Sequence, residues 1–163
     1  MINPLKEAAR GLHNAFVQSR KKEGGKVVGY SCTFIPEEIL HAAGVLPFRL
    51  RGVGTTSMSI GDSYFGAVNC SLPKCVLQLA GQGSYNFLDG AIITNGCDSM
   101  RRLEECWRKA SEDYPGTLPQ YYEYFSVPHK SVDYSVEFYK EVLNSMIETL
   151  EKHFKVKISE ESL

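Results

Sequence analysis

The sequence predicts an α/β fold, a three-layer domain whose four-stranded, mostly parallel sheet runs in the order 2-1-3-4 and is flanked by helices. Two observations carry that expectation. Lys26-Val27-Val28-Gly29-Tyr30-Ser31 and Gly90-Ala91-Ile92-Ile93-Thr94-Asn95-Gly96 are short apolar runs next to glycine, the pattern of strands buried on both faces of a parallel sheet. Each leads directly into a helical stretch, and strands that alternate with helices close as right-handed parallel crossovers. A chain of 163 residues, 43% hydrophobic and 23% charged, is large enough to bury one core and has the composition of an ordinary globular domain.

The elements follow in order. Residues 3–22 read as one polar amphipathic helix that ends at Gly24-Gly25, and the first strand begins there. Pro36-Glu37-Glu38 opens a helix over 36–43, which Gly44 stops. Residues 45–50 form a second strand, and Pro47, lacking an N–H, assigns it to an edge. A loop rich in Gly, Thr and Ser (52–61) leads to a helical region over 62–80, with a break expected at Pro73. The third strand, 90–96, precedes a helix over 99–110. After a turn at Pro115-Gly116, residues 121–127 form a fourth strand, whose tyrosines serve strand propensity and packing. A last helix, 132–154, sets Phe138, Val142, Ile147 and Leu150 on or near one face. No repeat or low-complexity tract interrupts this pattern.

Several function classes lose support. A formal net charge of -1 gives no footing for nucleic acid or an anionic membrane surface. The apolar runs fall short of a spanning helix, and Met1-Ile2-Asn3-Pro4 opens neither a signal nor a transit peptide, so a cytoplasmic location is expected. Five cysteines are an odd number, which argues against a fully paired disulfide framework and fits reduced, metal-bound or buried thiols.

Two of those cysteines stand at special places. Cys32 and Cys97 each follow a strand and precede a helix, and ligands of parallel sheets bind outside the carboxyl ends of the strands. Thiolates at helix N-termini are stabilised by the helix dipole and suit soft metal centres, so an iron–sulfur or zinc site is the first expectation. Cys70, in the polar segment Asn69-Cys70-Ser71, is the third candidate. Cys75 and Cys106 are expected in the core, and the absence of a CxxC pair leaves a zinc ribbon little support. Glu37 falls in the first turn after Cys32, where a carboxylate handles a hydroxyl or a proton, or simply complements the helix dipole. Ser31 and Thr33 flank Cys32 and offer hydroxyls to a sulfur, to a ligand or to ordinary capping. Arg49 and Arg51 follow the second strand and offer charge to a phosphate or to solvent. His41 reads as a packed or surface histidine, and Gly52-Val53-Gly54 lacks the third glycine of a dinucleotide fingerprint.

The segment Gly29-Tyr30-Ser31-Cys32-Thr33-Phe34-Ile35-Pro36-Glu37-Glu38-Ile39-Leu40-His41-Ala42-Ala43-Gly44-Val45-Leu46-Pro47 resembles the opening signature of the 2-hydroxyacyl-CoA dehydratase and benzoyl-CoA reductase family. Gly61-Asp62-Ser63-Tyr64, Cys70-Ser71-Leu72-Pro73-Lys74, Leu88-Asp89-Gly90, and Cys97-Asp98 with Arg101 and Trp107 extend the resemblance in order to the end of the chain. It implies that Cys32, Cys70 and Cys97 are ligands of a 4Fe-4S cluster with one coordination position left open. It further implies an ATP-dependent activator that sends one electron through the cluster to a CoA thioester, whose ketyl radical anion expels the hydroxyl before the electron returns. Within that scheme Glu37 is the catalytic candidate, and Ser31, Thr33 and Arg49 are substrate-binding candidates. A benzoyl-CoA reductase subunit and a double-cubane-cluster reductase are the alternatives within the family, and a cluster-free scaffold of the same fold is the alternative outside it.

Residues 158–163 read as a helix start, a capping serine followed by acidic residues. Subunits of the family carry a second α/β domain after such a segment. Residues 1–163 are therefore expected to be a single α/β domain, the N-terminal half of a two-domain subunit, inactive alone. The expected partners are that C-terminal domain, a second dehydratase subunit, the activator and an acyl-CoA substrate, with no nucleic acid and no membrane.

Overall fold

The computed structural model describes residues 6, 11–119 and 121–162. Its elements are α1 (Ala15–Lys22), β1 (Val27–Tyr30), α2 (Glu37–Ala42), β2 (Leu46–Arg49), α3 (Ser59–Tyr64), α4 (Ser71–Gly81), β3 (Gly90–Thr94), α5 (Asp98–Asp113), β4 (Tyr121–Phe125) and α6 (Asp133–Phe154), followed by a 3-10 turn at Glu160–Ser162. The sheet order is β2-β1-β3-β4 and every pairing is parallel, as the alternation of strands and helices requires. Pro47 lies on the edge strand β2, where its missing N–H costs no ladder bond to a central strand.

Alternation along the central strands explains the three layers. Val27, Ala91 and Ile93 point to one face, into a core with Val17 of α1, Leu77 and Ala80 of α4, and Leu103 and Trp107 of α5. Val28, Tyr30 and Ile92 point to the other, into a core with Ile39 and Leu40 of α2 and Met146 and Leu150 of α6. Ile92 and Ile93 are wholly removed from solvent, and burial of each such side chain is worth about 1.5–3 kcal/mol.

The amino ends of the strands are tied down by one carboxylate. Asp89 Oδ2 accepts from Val27 N at 2.9 Å and from Lys21 Nζ at 2.8 Å, and Oδ1 accepts from Lys26 Nζ at 3.2 Å. Burial pushes this carboxyl up, but the bonds from Lys21, Val27 N–H and Lys26 outweigh it and leave it below the usual aspartate value.

Three expectations from sequence are corrected. The helix expected over 3–22 is interrupted: residues 11–14 are not helical, and Asn14 caps a new start by accepting from Val17 N at 3.0 Å, while residues 1–5 and 7–10 lie outside the described residues. Pro73 breaks nothing. It is the third residue of α4, where its missing N–H is one of the unbonded first-turn donors, and the interruption falls earlier, between Tyr64 and Ser71. On α6 the inward stripe runs through Tyr139, Val142, Leu143, Met146, Ile147 and Leu150, and Phe138 stands 40% exposed beside it.

Candidate functional site

Parallel pairing brings the exits of β1 and β3 to the same edge of the sheet. Tyr30 is in register with Ile92, Ser31 N donates to Ile92 O at 3.1 Å, and Ser31 Oγ accepts from Thr94 N at 3.1 Å. Ser31 is thus buried, its oxygen extending the ladder by one more bond, and the chain leaves the sheet at Cys32. Asn95 does the same for the neighbouring strand. Its side chain accepts from Val127 N at 2.7 Å and donates to Val127 O at 3.2 Å, fixing the exit of β4 to that of β3.

Cys32 and Cys97 lie beyond these exits, Cys70 stands between α3 and α4, and none of the three is in a disulfide. Cys97 is the N-cap residue of α5 and Cys70 that of α4, and both are exposed, whereas Cys32 is half-buried. A side chain on Gly96 would place its Cβ 2.9 Å from the Phe34 ring and 3.4 Å from Cys32 Sγ, so this glycine lets Phe34 close over the turn that carries Cys97 and brings that turn to the Cys32 sulfur. Three soft thiols, two of them at helix starts and one just past a central strand, are a donor set whose chemistry fits an iron–sulfur centre. Among the described residues, no three His, Cys, Asp or Glu side chains are grouped closely enough to hold a metal ion. The three thiols are therefore not gathered into a finished cage.

The remaining cysteines are packed. Cys106 is buried, its Sγ 3.7 Å from Tyr64 O, and burial pushes the thiol up. Cys75 is half-buried, its Sγ 3.6 Å from Met58 Sδ.

Glu37 stands in the first turn of α2, and Tyr30 Oη donates to its Oε1 at 2.7 Å. Tyr30 itself is buried, and desolvation, with the Glu37 bond adding to it and Arg49 opposing it, pushes the phenol up to about 12. Arg49 pairs with Tyr30 across the ladder and is exposed. Thr33, Phe34, Pro36, Glu37, His41 and Tyr139 line an open groove of about 410 Å³, and Phe34, half-exposed, stands between that groove and Gly96. Thr33 and Glu37 are thus brought together, with Arg49 beside Tyr30. Arg51 is engaged elsewhere, donating to Gly11 O at 2.8 Å with its guanidinium 5.5 Å from the Phe48 ring centre. Two further open grooves, about 460 and 480 Å³, flank the segment from Val127 to Lys140 and contain none of the candidate residues.

Sequence reasoning missed Tyr30, Phe34 and Gly96. Tyr30 had a usable signal, since period-two alternation sets it on the α2 face with Val28, one short loop from Glu37. Gly96 and Phe34 had none, because their contact arises only when two loops from different strands meet.

Fold and edge together define a parallel α/β domain that presents thiols and a carboxylate where its central strands end. The profile of the family described as 2-hydroxyglutaryl-CoA dehydratase, D-component, matches residues 32–163. The chain is 30% identical to the (R)-phenyllactyl-CoA dehydratase beta subunit of Clostridium sporogenes, over 99% of this chain and 42% of that protein. It is 32% identical to a benzoyl-CoA reductase subunit of Thauera aromatica, over 85% of this chain and 35% of that protein. It is 30% identical to the lactoyl-CoA dehydratase beta subunit of Anaerotignum propionicum, over 74% and 32% respectively. The chain belongs to the 2-hydroxyglutaryl-CoA dehydratase D-component family, and it spans less than half the length of these curated relatives.

Proposed function

We propose that this chain is part of a 2-hydroxyacyl-CoA dehydratase subunit, acting in the ATP-activated radical dehydration of a 2-hydroxyacyl-CoA and holding a 4Fe-4S cluster through Cys32, Cys70 and Cys97. The observation that carries the reading is the placement of Cys32 and Cys97 beyond the ends of adjacent parallel strands, with the Gly96 turn before Cys97 lying against the Cys32 sulfur. Such a cluster supplies low-potential one-electron chemistry when bound, and the protein tunes it through burial and hydrogen bonds to sulfur.

The chain's own residues do the rest. Glu37 presents a carboxylate in the groove beside the thiol edge, suited to receive the proton or hold the hydroxyl of a substrate. Thr33 offers a hydroxyl in the same groove, and Arg49 an exposed charge for a CoA phosphate. Ser31 contributes from beneath, holding the β1 exit against β3 so that Cys32 leaves the sheet at a fixed place. A second subunit, an activator and further subunit sequence are the partners of this reading. A cytoplasmic location accords with it, and among the described residues no helix is long and apolar enough to cross a membrane. The match to a benzoyl-CoA reductase favours a second reading, a ring-reducing subunit with the same cluster ligands.

Anaerobic reconstitution with iron and sulfide tests the cluster. The expected product is a brown protein with about four irons per chain. Serine at Cys32, Cys70 or Cys97 should remove most of that iron, and serine at Cys106 should leave it. A colourless chain, or iron retained without Cys32 and Cys97, would overturn the proposal in favour of a scaffold.

A further inference from the structure

Glu37 is held by a residue that the cluster reading does not use. Its Oε1 accepts the Tyr30 hydroxyl at 2.7 Å, and among the described residues no hydrogen bond engages Oε2. Tyr30 is 6% exposed, anchored in the core shared by Ile35, Ile39, Leu40 and Phe125, so its hydroxyl is a fixed donor on a rigid strand. The α2 helix that carries Glu37 packs its Ile39 and Leu40 into that core, so strand and helix set both partners. A carboxylate with one oxygen fixed has few rotamers left, and here its other oxygen belongs to a side chain lining the groove with Thr33 and Phe34.

We infer that Tyr30 is the positioning residue of this site: it orients Glu37 so that Oε2 accepts a hydrogen bond from the 2-hydroxyl of a bound 2-hydroxyacyl thioester, and thereby sets the preference for hydroxylated over deoxygenated acyl chains. The inference rests on the dehydratase reading and adds to it the atom that recognises the leaving hydroxyl. A donor lost from a ligand leaves a carboxylate oxygen without its partner, so the discrimination is expected to reach about tenfold, the usual weight of a hydrogen bond to a charged group.

Calorimetric titration of the full chain with lactoyl-CoA and propionyl-CoA, which differ only in that hydroxyl, tests it without turnover. The wild-type chain should bind lactoyl-CoA about tenfold more tightly. Tyr30→Phe should remove most of that ratio while propionyl-CoA affinity stays unchanged, an invariance that also reports an intact fold. Glu37→Asp, which keeps the charge but shortens the reach to Tyr30, should do the same, and the double variant should lose no more than either alone. A ratio that survives Tyr30→Phe, additive losses in the double variant, or equal binding of the two thioesters by wild type would each overturn the inference alone. Binding of neither thioester would overturn the functional reading and the inference with it.

Discussion

At the amino end of the strands the Asp89 carboxylate has both oxygens engaged, accepting one backbone and two lysine donors. At the carboxyl end the Glu37 carboxylate, on a side chain that lines a groove, accepts one donor among the described residues, from Tyr30, on one oxygen alone. Both are partly shielded from solvent, and both lie close to β1. The difference is in how many oxygens the fold engages: where both are bonded the group holds the chain together, and where one is left the group is available to a ligand. The same contrast separates the cysteines. Cys106 is buried against the backbone of α3, whereas Cys70 and Cys97 stand in solvent at helix starts.

The hardest test of this contrast is removal of the committed carboxylate. Asp89→Ala should cost about 2 kcal/mol, chiefly through the Val27 N–H left without a partner, since the two lysines are too exposed to add much. Thermal melts at neutral pH measure it. The pH dependence has a defined sign: the folded value is lowered, so the stabilisation is complete above the ordinary aspartate range and is lost as pH falls through the lowered folded value. Asp89→Asn should flatten that acid limb of the stability curve, and an unchanged limb would mean that the carboxylate does not tie the strand ends.

Gly96→Ala sharpens the contrast from the open end. The new methyl meets Phe34, which is half-exposed and free to move aside, so stability should change by less than about 1 kcal/mol. Iron uptake in anaerobic reconstitution should nevertheless fall, because the methyl fills the gap between the two loops beside the Cys32 sulfur and moves Phe34 off it. A variant with full iron content would show that the cluster does not need the room this glycine leaves.

The smallest effect is expected at a carboxylate between these extremes. Glu123 on β4 accepts from Thr149 Oγ1 at 2.8 Å and from Tyr121 Oη, yet burial outweighs both and raises its value. A carboxyl raised on folding opposes the folded state increasingly as pH rises through that range. Glu123→Gln should therefore be neutral or gain about 0.5 kcal/mol at neutral pH, and lose that gain in acid. A pronounced loss at neutral pH would show that the charge itself holds α6 to β4.

The order and direction of the strands were legible in the sequence because they depend on local signals: apolar runs of strand length, glycines beside them, and Pro47 marking an edge. Cys32 and Cys97 were legible for the same reason, each lying just past a strand. The interruption between Tyr64 and Ser71 was not, because a proline is read as a breaker unless its position within the first turn is known. Asn14 was passed over in a polar run where a cap and a surface residue look alike. The partnership of Tyr30 with Glu37 and the meeting of Phe34 with Gly96 depend on where loops land in space, which composition and periodicity do not encode.

Gln78 of α4 is almost wholly buried, and its Oε1 accepts from Ile60 N at 2.7 Å and Gly61 N at 3.1 Å, the first-turn donors of α3. A helix of only six residues ordinarily frays on its own, its amides trading hydrogen for deuterium as fast as the turn opens. With those two amides held from beneath by a group rooted in the core, and Lys74 of α4 joined to Asp62 at 3.0 Å, opening α3 means breaking its seam with α4. The segment leading to Cys70 is consequently suspended between two helices that open on a shared clock, so the slow step in any rearrangement of that thiol belongs to the pair and not to the loop alone.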